Sequence, residues 1–181
     1  MPETVSEALV LGFEPARDRD AVVDLFVRDR GRVRARVVGG RRPLSKFAPH
    51  LDPLSLVTVR LVSKRSVTVA DAVTTDRFPV LRRNGHALHA ALEVVYLLRQ
   101  LLPGQASDTA MFDYLVRSFR GAIPSVGELL VHLGYDPRHA ACDRCHAAPV
   151  GWFAPDRQRF FCAACAVQAG GNAVSWVRTR A

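Results

Sequence analysis

The stretch Ala21-Val-Val-Asp-Leu-Phe-Val-Arg-Asp-Arg-Gly-Arg-Val-Arg-Ala-Arg-Val37 reads as strand, turn and strand. Residues 21–27 form a short run rich in Val and apolar neighbours, and Asp29-Arg30-Gly31 supplies the hairpin turn. In the third run, 32–38, arginine alternates with Val or Ala as far as Val37, which at period two sends Arg32, Arg34 and Arg36 to one face and the small apolar residues to the other. Working outward, residues 8–13, 54–62 and 66–72 are further short β runs separated by Gly, Pro and charged turns. Five short strands with one longer excursion, residues 39–53, between the third and fourth suit an OB-type Greek-key barrel. That fold binds oligonucleotides over its second and third strands.

Charge is distributed unevenly along this region. From 1 to 27, six acids stand against Arg17 and Arg19, a net of minus four. From 28 to 65, eleven Lys and Arg stand against Asp29 and Asp52, a net of plus nine in a 181-residue chain whose total is plus eight. Such a block favours an acidic partner such as nucleic acid. Arg32, Arg34, Arg36, Arg41, Arg42 and Lys46 are the candidate phosphate contacts, with Gly39-Gly40-Arg41-Arg42-Pro43 expected to bring backbone amides and two guanidiniums to a phosphate. The competing reading is a solvated edge whose charges only prevent strand pairing. Of the 25 basic residues 23 are Arg, which genome composition can produce as readily as selection for phosphate. Phe13, Phe26 and Phe47 are candidates for base stacking or for the core. Ser45-Lys46 reverses the order a nucleotide-binding loop needs, so no nucleotide hydrolysis is expected.

After Asp76-Arg77-Phe78-Pro79 the period becomes helical. Leu88, Ala91, Leu92, Val95, Leu98 and Leu102 form one apolar stripe, stopped by Pro103-Gly104. Ser107 or Asp108 caps a second helix with Met111, Phe112, Leu115, Val116 and Phe119 inward. Ser125-Val-Gly-Glu128 is a capping box opening a third helix, 126–133, with Gly134 as its C′ residue. Residues 172–180 are expected to form a short closing helix with Trp176 and Val177 inward. His86, His89, His132 and His139 lack metal-ligand spacing. No apolar run reaches membrane-spanning length.

The four cysteines of the chain, Cys142, Cys145, Cys162 and Cys165, read C-x2-C, sixteen residues, C-x2-C. This spacing presents four thiolates to one Zn²⁺, and a closed four-cysteine shell leaves no open position for water, so the ion is structural. Four thiolates and one Zn²⁺ would bring the net charge from plus eight to about plus six. Two disulfides are the alternative, but the N-terminus Met-Pro-Glu-Thr-Val-Ser-Glu lacks the regions of a secretion signal, which favours a cytosolic zinc site. Trp152, Phe153, Phe160 and Phe161, on a hairpin from 150 to 161 turning at Ala154-Pro155-Asp156, are expected to wall the ion. His146 is expected to be an exposed loop residue rather than a ligand.

In this order, barrel, helices and cysteine cluster resemble the RecO family of bacterial recombination mediators and DNA-annealing proteins, over nearly the whole chain. The resemblance is carried by Ala8-Leu-Val-Leu-Gly-Phe13, by Asp24-Leu-Phe-Val-Arg-Asp-Arg-Gly31, by Val37-Val-Gly-Gly-Arg-Arg42 with Ser45, and by Glu128-Leu-Leu-Val-His-Leu-Gly-Tyr-Asp-Pro137 running into Cys142-Asp-Arg-Cys145. It implies an α+β, multidomain chain: an OB domain over 1–78 that binds DNA and the ring-forming partner RecR, then a helical, zinc-bearing domain over 79–181, its finger at 142–165. The second domain would meet the tail of single-strand-binding protein (SSB), and RecA would be loaded downstream. The match is to a short form. Its helical region is shorter than usual and the chain ends sixteen residues after Cys165 without the usual trailing helices, so no residue is assigned to the SSB contact. The second functional reading is a zinc-containing OB module of transcription or translation acting on RNA or protein. An enzyme is not expected, since no paired carboxylates, nucleophile with a base or open metal site is visible.

Overall fold

The computed structural model describes residues 3–102, 104, 106–168 and 176–179. Strands β1 (Glu3–Pro15), β2 (Ala21–Val27), β3 (Gly31–Val37), β4 (Leu56–Ser63) and β5 (Val67–Asp76) close into a barrel in the order β1-β2-β3-β5-β4. β1 is long enough to pair twice, with β4 through Glu3 to Leu9 and with β2 through Ala8 to Pro15. The parallel pairing of β3 with β5 at Arg36 and Thr68 completes the ring. β3 alternates as its sequence demands, with Val33, Ala35 and Val37 buried and Arg34 and Arg36 exposed. Val10, Leu25, Val57, Val59 and Leu61 complete the barrel interior, which Phe47 and Leu51 plug from the long loop after β3.

β2 is buried on both faces from Val23 to Val27, because Phe26, with Leu9, Leu11, Leu54 and Leu56, points out of the barrel into a second core beneath the helices. Helix α1 (Pro79–Arg83) was not legible in the sequence; α2 (Gly85–Leu101), α3 (Thr109–Arg120) and α4 (Val126–His132) follow. Phe26 meets Phe112 edge to face at 5.6 Å, and Phe78 meets Phe119 in the same way. The caps are as read. Asp108 accepts from the Met111 amide, Ser125 and Glu128 form the reciprocal capping box, and Gly134 has a left-handed φ of 87° after α4. The five inward residues named for α3 are all buried.

Three expectations need correction. Leu92 is 44% exposed, while Val94, Leu97 and Leu101 are buried instead. α2 lies against the barrel as well as the other helices, so its apolar arc is broad and turned away from Leu92. Pro103 lies outside the described residues. The expected closing helix over 172–180 falls partly outside them too, and its described part is strand β8 (Val177–Arg178). β8 pairs antiparallel with β6 (Trp152–Ala154), which also pairs with β7 (Arg159–Phe161). Val-Arg beside Trp has β propensity and a free sheet edge to complete, which outweighs helix formation in so short a segment. Third, the amides of 39–42 are already used: Gly39 donates to Asp20, Gly40 to the Val37 carbonyl, Arg41 to the Arg19 carbonyl and Arg42 to the Gly39 carbonyl. They form a tight turn rather than a phosphate cradle. Among the described residues no helix is long and apolar enough to cross a membrane.

Candidate metal centre and nucleic-acid interface

The first cysteine pair sits on a loop that the sequence folds by turn chemistry. Asp136 caps a single 3₁₀ turn (Pro137–His139), the Cys142 amide donates to the Ala147 carbonyl, and the His146 amide donates to the Cys142 carbonyl. The Asp143 amide donates to the Phe160 carbonyl, tying this loop to the hairpin. Cys162 follows β7 directly, and Cys165 lies in the first turn of α5 (Ala163–Gln168). All four Sγ atoms lie within 4.8 Å of one another. Cys145 and Cys162 are 3.6 Å apart, close to the ~3.8 Å edge of a tetrahedron with Zn–S bonds of about 2.3 Å. A disulfide would need about 2.05 Å. The four cysteines are therefore positioned to bind one metal ion, and their all-sulfur chemistry fits zinc.

Without a cation, packing four thiols together drives their acidities apart. Burial pushes the Cys142 thiol up, but the amides of Cys162, Cys145 and Arg144 pointing at it bring it down to about 6. Cys165 is pushed up to about 12, first by the hydrogen bond with Cys145 and then by burial. A dication among them removes this conflict by letting every thiol ionise. Phe161, Ala154, Trp152 and Trp176 wall the cluster. Phe153 and Phe160, expected in that wall, instead face the main core, where Phe153 meets Tyr135 at 5.1 Å and Phe160 at 4.8 Å. Trp152 pairs with Phe161 across the ladder and Phe153 with Phe160, so alternation sends one pair to the metal and the other to the core. His146 is exposed, as expected.

The basic ribbon is where the sequence placed it, but it is not a free positive field. Arg36 donates to Asp20 at 2.8 Å, Arg34 to Glu14 at 3.0 Å and Arg32 to Asp24 at 3.2 Å, while Lys46 reaches Asp71 at 3.4 Å. Asp24 is only 2% exposed, and it and Glu14 both also accept from Arg99 of α2. Carboxylates of the first 27 residues thus lie beside the basic block that follows and pair with Arg28, Arg32, Arg34, Arg36 and Arg60, whereas Lys46 pairs with Asp71. Among the described residues, Arg41 and Arg42 make no ion pair. They share one end of the barrel with Arg17 and Arg19, because the Arg41 amide bonds the Arg19 carbonyl across the two turns at 2.9 Å. A groove of about 500 Å³ runs over the outer face of β2 and β3 between the turn at 16–20 and the turn before β5, lined by Arg17, Asp18, Asp20, Arg34, Arg36 and Ser66. Of the candidate stacking residues, Phe26 and Phe47 are buried and Phe13 packs against the barrel core.

The family model described as Recombination protein O N terminal matches residues 1–75. The DNA repair protein RecO of Geobacter metallireducens is 34% identical over 118 residues, covering 64% of this chain and 48% of its own length. That of Geobacter sulfurreducens is 32% identical over 152 residues, covering 77% and 62%, and that of a Nocardioides species 28% over 190 residues, covering 89% and 73%. The chain belongs to the RecO family. In this RecO chain the family-model match covers the barrel, and the matches to whole relatives run beyond it, although the aligned part is about half the length of the G. metallireducens protein.

Sequence reasoning missed two residues of the RecO barrel surface, Arg17 and Arg19. They lie in the acidic block and are outweighed by it when charge is summed along the chain. The signal that finds them is local: Arg17-Asp-Arg-Asp20 is a turn, and in an OB-type barrel the turn between the first two strands flanks the ligand face.

Proposed function

We propose that this RecO chain binds single- and double-stranded DNA with little sequence preference and anneals complementary strands without hydrolysing nucleotide. The observation that carries the reading is the cluster Arg17, Arg19, Arg41 and Arg42, which crowns the ribbon face of an OB-type barrel and makes no ion pair among the described residues, Arg42 acting on Asp20 only at longer range. Phosphates would first meet these four guanidiniums. Arg32, Arg34, Arg36 and Lys46 join by exchanging a carboxylate for a phosphate, and neutralising both strands lowers the repulsion that opposes annealing. One structural Zn²⁺ held by Cys142, Cys145, Cys162 and Cys165 completes the C-terminal part. The family resemblance adds RecR as a partner of the barrel, SSB as a weaker partner of the helical part, and RecA loading downstream, in the bacterial cytoplasm at the nucleoid.

The test is DNA affinity against salt. Removing a single phosphate contact lowers the log-log slope by about 0.7 to 0.9, so Arg41→Ala with Arg42→Ala is expected to lower it by up to about twice that. Arg34→Ala with Arg36→Ala is expected to lower it less, because those side chains already have carboxylate partners. Wild-type slopes in both double variants would reduce the ribbon to a solvated edge. Annealing of bare and SSB-coated strands, with pull-downs of RecR and SSB, then checks the partners. Tight RNA binding without annealing would favour the transcription or translation module instead.

A further inference from the structure

Trp152 and Trp176 are the two tryptophans of the chain, and both line one cavity of about 590 Å³ far from the ribbon. The cavity opens between the first turns of α2 and the metal-bearing sheet, and its other functional side chains are Arg178, His86, His89 and Glu93. Its volume is that of a small-molecule site. His86 lies thirteen residues before Arg99, the α2 residue that meets the barrel carboxylates, which at 1.5 Å per residue is about 20 Å along the helix.

The two indoles are held in place. Trp176 stacks on Phe161 with ring centres 4.5 Å apart and planes 25° from parallel, and Phe161 also walls the cysteine cluster. Trp152 is the central strand residue between Phe161 on one side and Arg178 on the other. Neither ring is fully buried, so each keeps indole surface at the cavity. The Arg178 guanidinium lies 4.9 Å from the centre of the Trp152 ring and makes no ion pair among the described residues. His89, 78% exposed, sits at the rim 3.7 Å from Glu93, which leaves Arg178 as the cation without a carboxylate partner. Aromatic surface with a guanidinium over one indole that has no carboxylate partner, in a cavity open at its histidine rim, is what an unstacked base and its phosphate require.

We infer that this cavity takes a base of a single nucleic-acid strand, stacked on the indoles with its phosphate at Arg178, as a second contact separate from the barrel ribbon. The site joins the metal centre to strand binding, because the cysteine cluster packs on the Phe161 that supports Trp176. It does not depend on the ribbon reading.

Intrinsic fluorescence reports on the cavity directly, since no other tryptophan contributes. Zinc-loaded full-length protein titrated with oligo(dT) is expected to lose tryptophan emission, whereas a blunt duplex of equal length, its bases already stacked, is not. Trp176→Ala, followed through Trp152, is expected to bind the oligonucleotide at least about fivefold more weakly. Arg178→Ala is expected to lower the salt slope by about 0.7. Zinc content confirms that both variants are folded. In the Arg41→Ala, Arg42→Ala protein quenching should persist at higher oligonucleotide concentration, which separates this site from the ribbon. Unchanged emission while oligonucleotide binds, wild-type affinity in Trp176→Ala, or equal quenching by an acidic peptide without bases would each overturn the proposal.

Discussion

Asp20 shows how single residues set the character of the ribbon. Its carboxyl is held below its ordinary value of 3.8, first by the Gly39 amide and then by the Arg36 guanidinium. A depressed folded value means that the stabilisation is complete above the unfolded carboxylate value and is lost as pH falls through the lower folded one. Asp20→Asn is expected to flatten the stability profile below about pH 4 and to free Arg36, raising the salt slope of DNA binding. Thermal melts against pH and a salt titration check both halves. Gly31 is the other position where one residue decides. Its φ is 70°, and an added Cβ would strike the Ala106 carbonyl oxygen, because the segment after α2 folds back over the start of β3.

At the scale of elements, α2 is the joint of the molecule. One flank buries Ala91, Val94, Val95, Leu97, Leu98 and Leu101, and its last turn sends Arg99 to Glu14 and Asp24 on β1 and β2. Leu98→Ala is expected to cost about 2–5 kcal/mol as a cavity mutation, whereas Leu92→Ala, on the exposed side, should stay within about 0.5 kcal/mol. Urea denaturation of the two variants separates them, and equal destabilisation would restore the stripe read from sequence. The capping box and the inward face of α3 were legible because caps and 3.6-residue periodicity are local. The Leu92 error arose because the direction of burial depends on which layer lies on each side of a helix.

For the whole molecule, the main core runs without a break from barrel residues Leu9, Leu11 and Phe26 to Phe112, Phe119 and Phe153. A fragment ending at residue 78 would expose that apolar surface, and we expect it to aggregate or associate rather than stay monomeric, as sedimentation would show. The metal centre lies at the other end of the same core. Removing zinc with a strong chelator is expected to lower the thermal midpoint, and Cys145→Ser to lose the metal. Elemental analysis well below one zinc per chain in natively purified protein would falsify a structural zinc site.

The sequence by itself determined the five strands, the Asp29-Arg30-Gly31 turn, the helix caps and the four-cysteine centre, because each depends on the chemistry of residues a few positions apart. Tertiary structure alone decided how charge is used. Arg28 meets Asp113, and Arg99 meets Asp24, across separations of 85 and 75 residues, so a block of nine net charges in sequence becomes a set of ion pairs that leaves Arg30, Arg41, Arg42, Lys64 and Arg65 without one among the described residues. It also decided that Phe153 and Phe160 serve the core, and that Trp152, Trp176 and Arg178 share a cavity. Those juxtapositions follow from strand register and layer packing, which bring together side chains with no proximity along the chain.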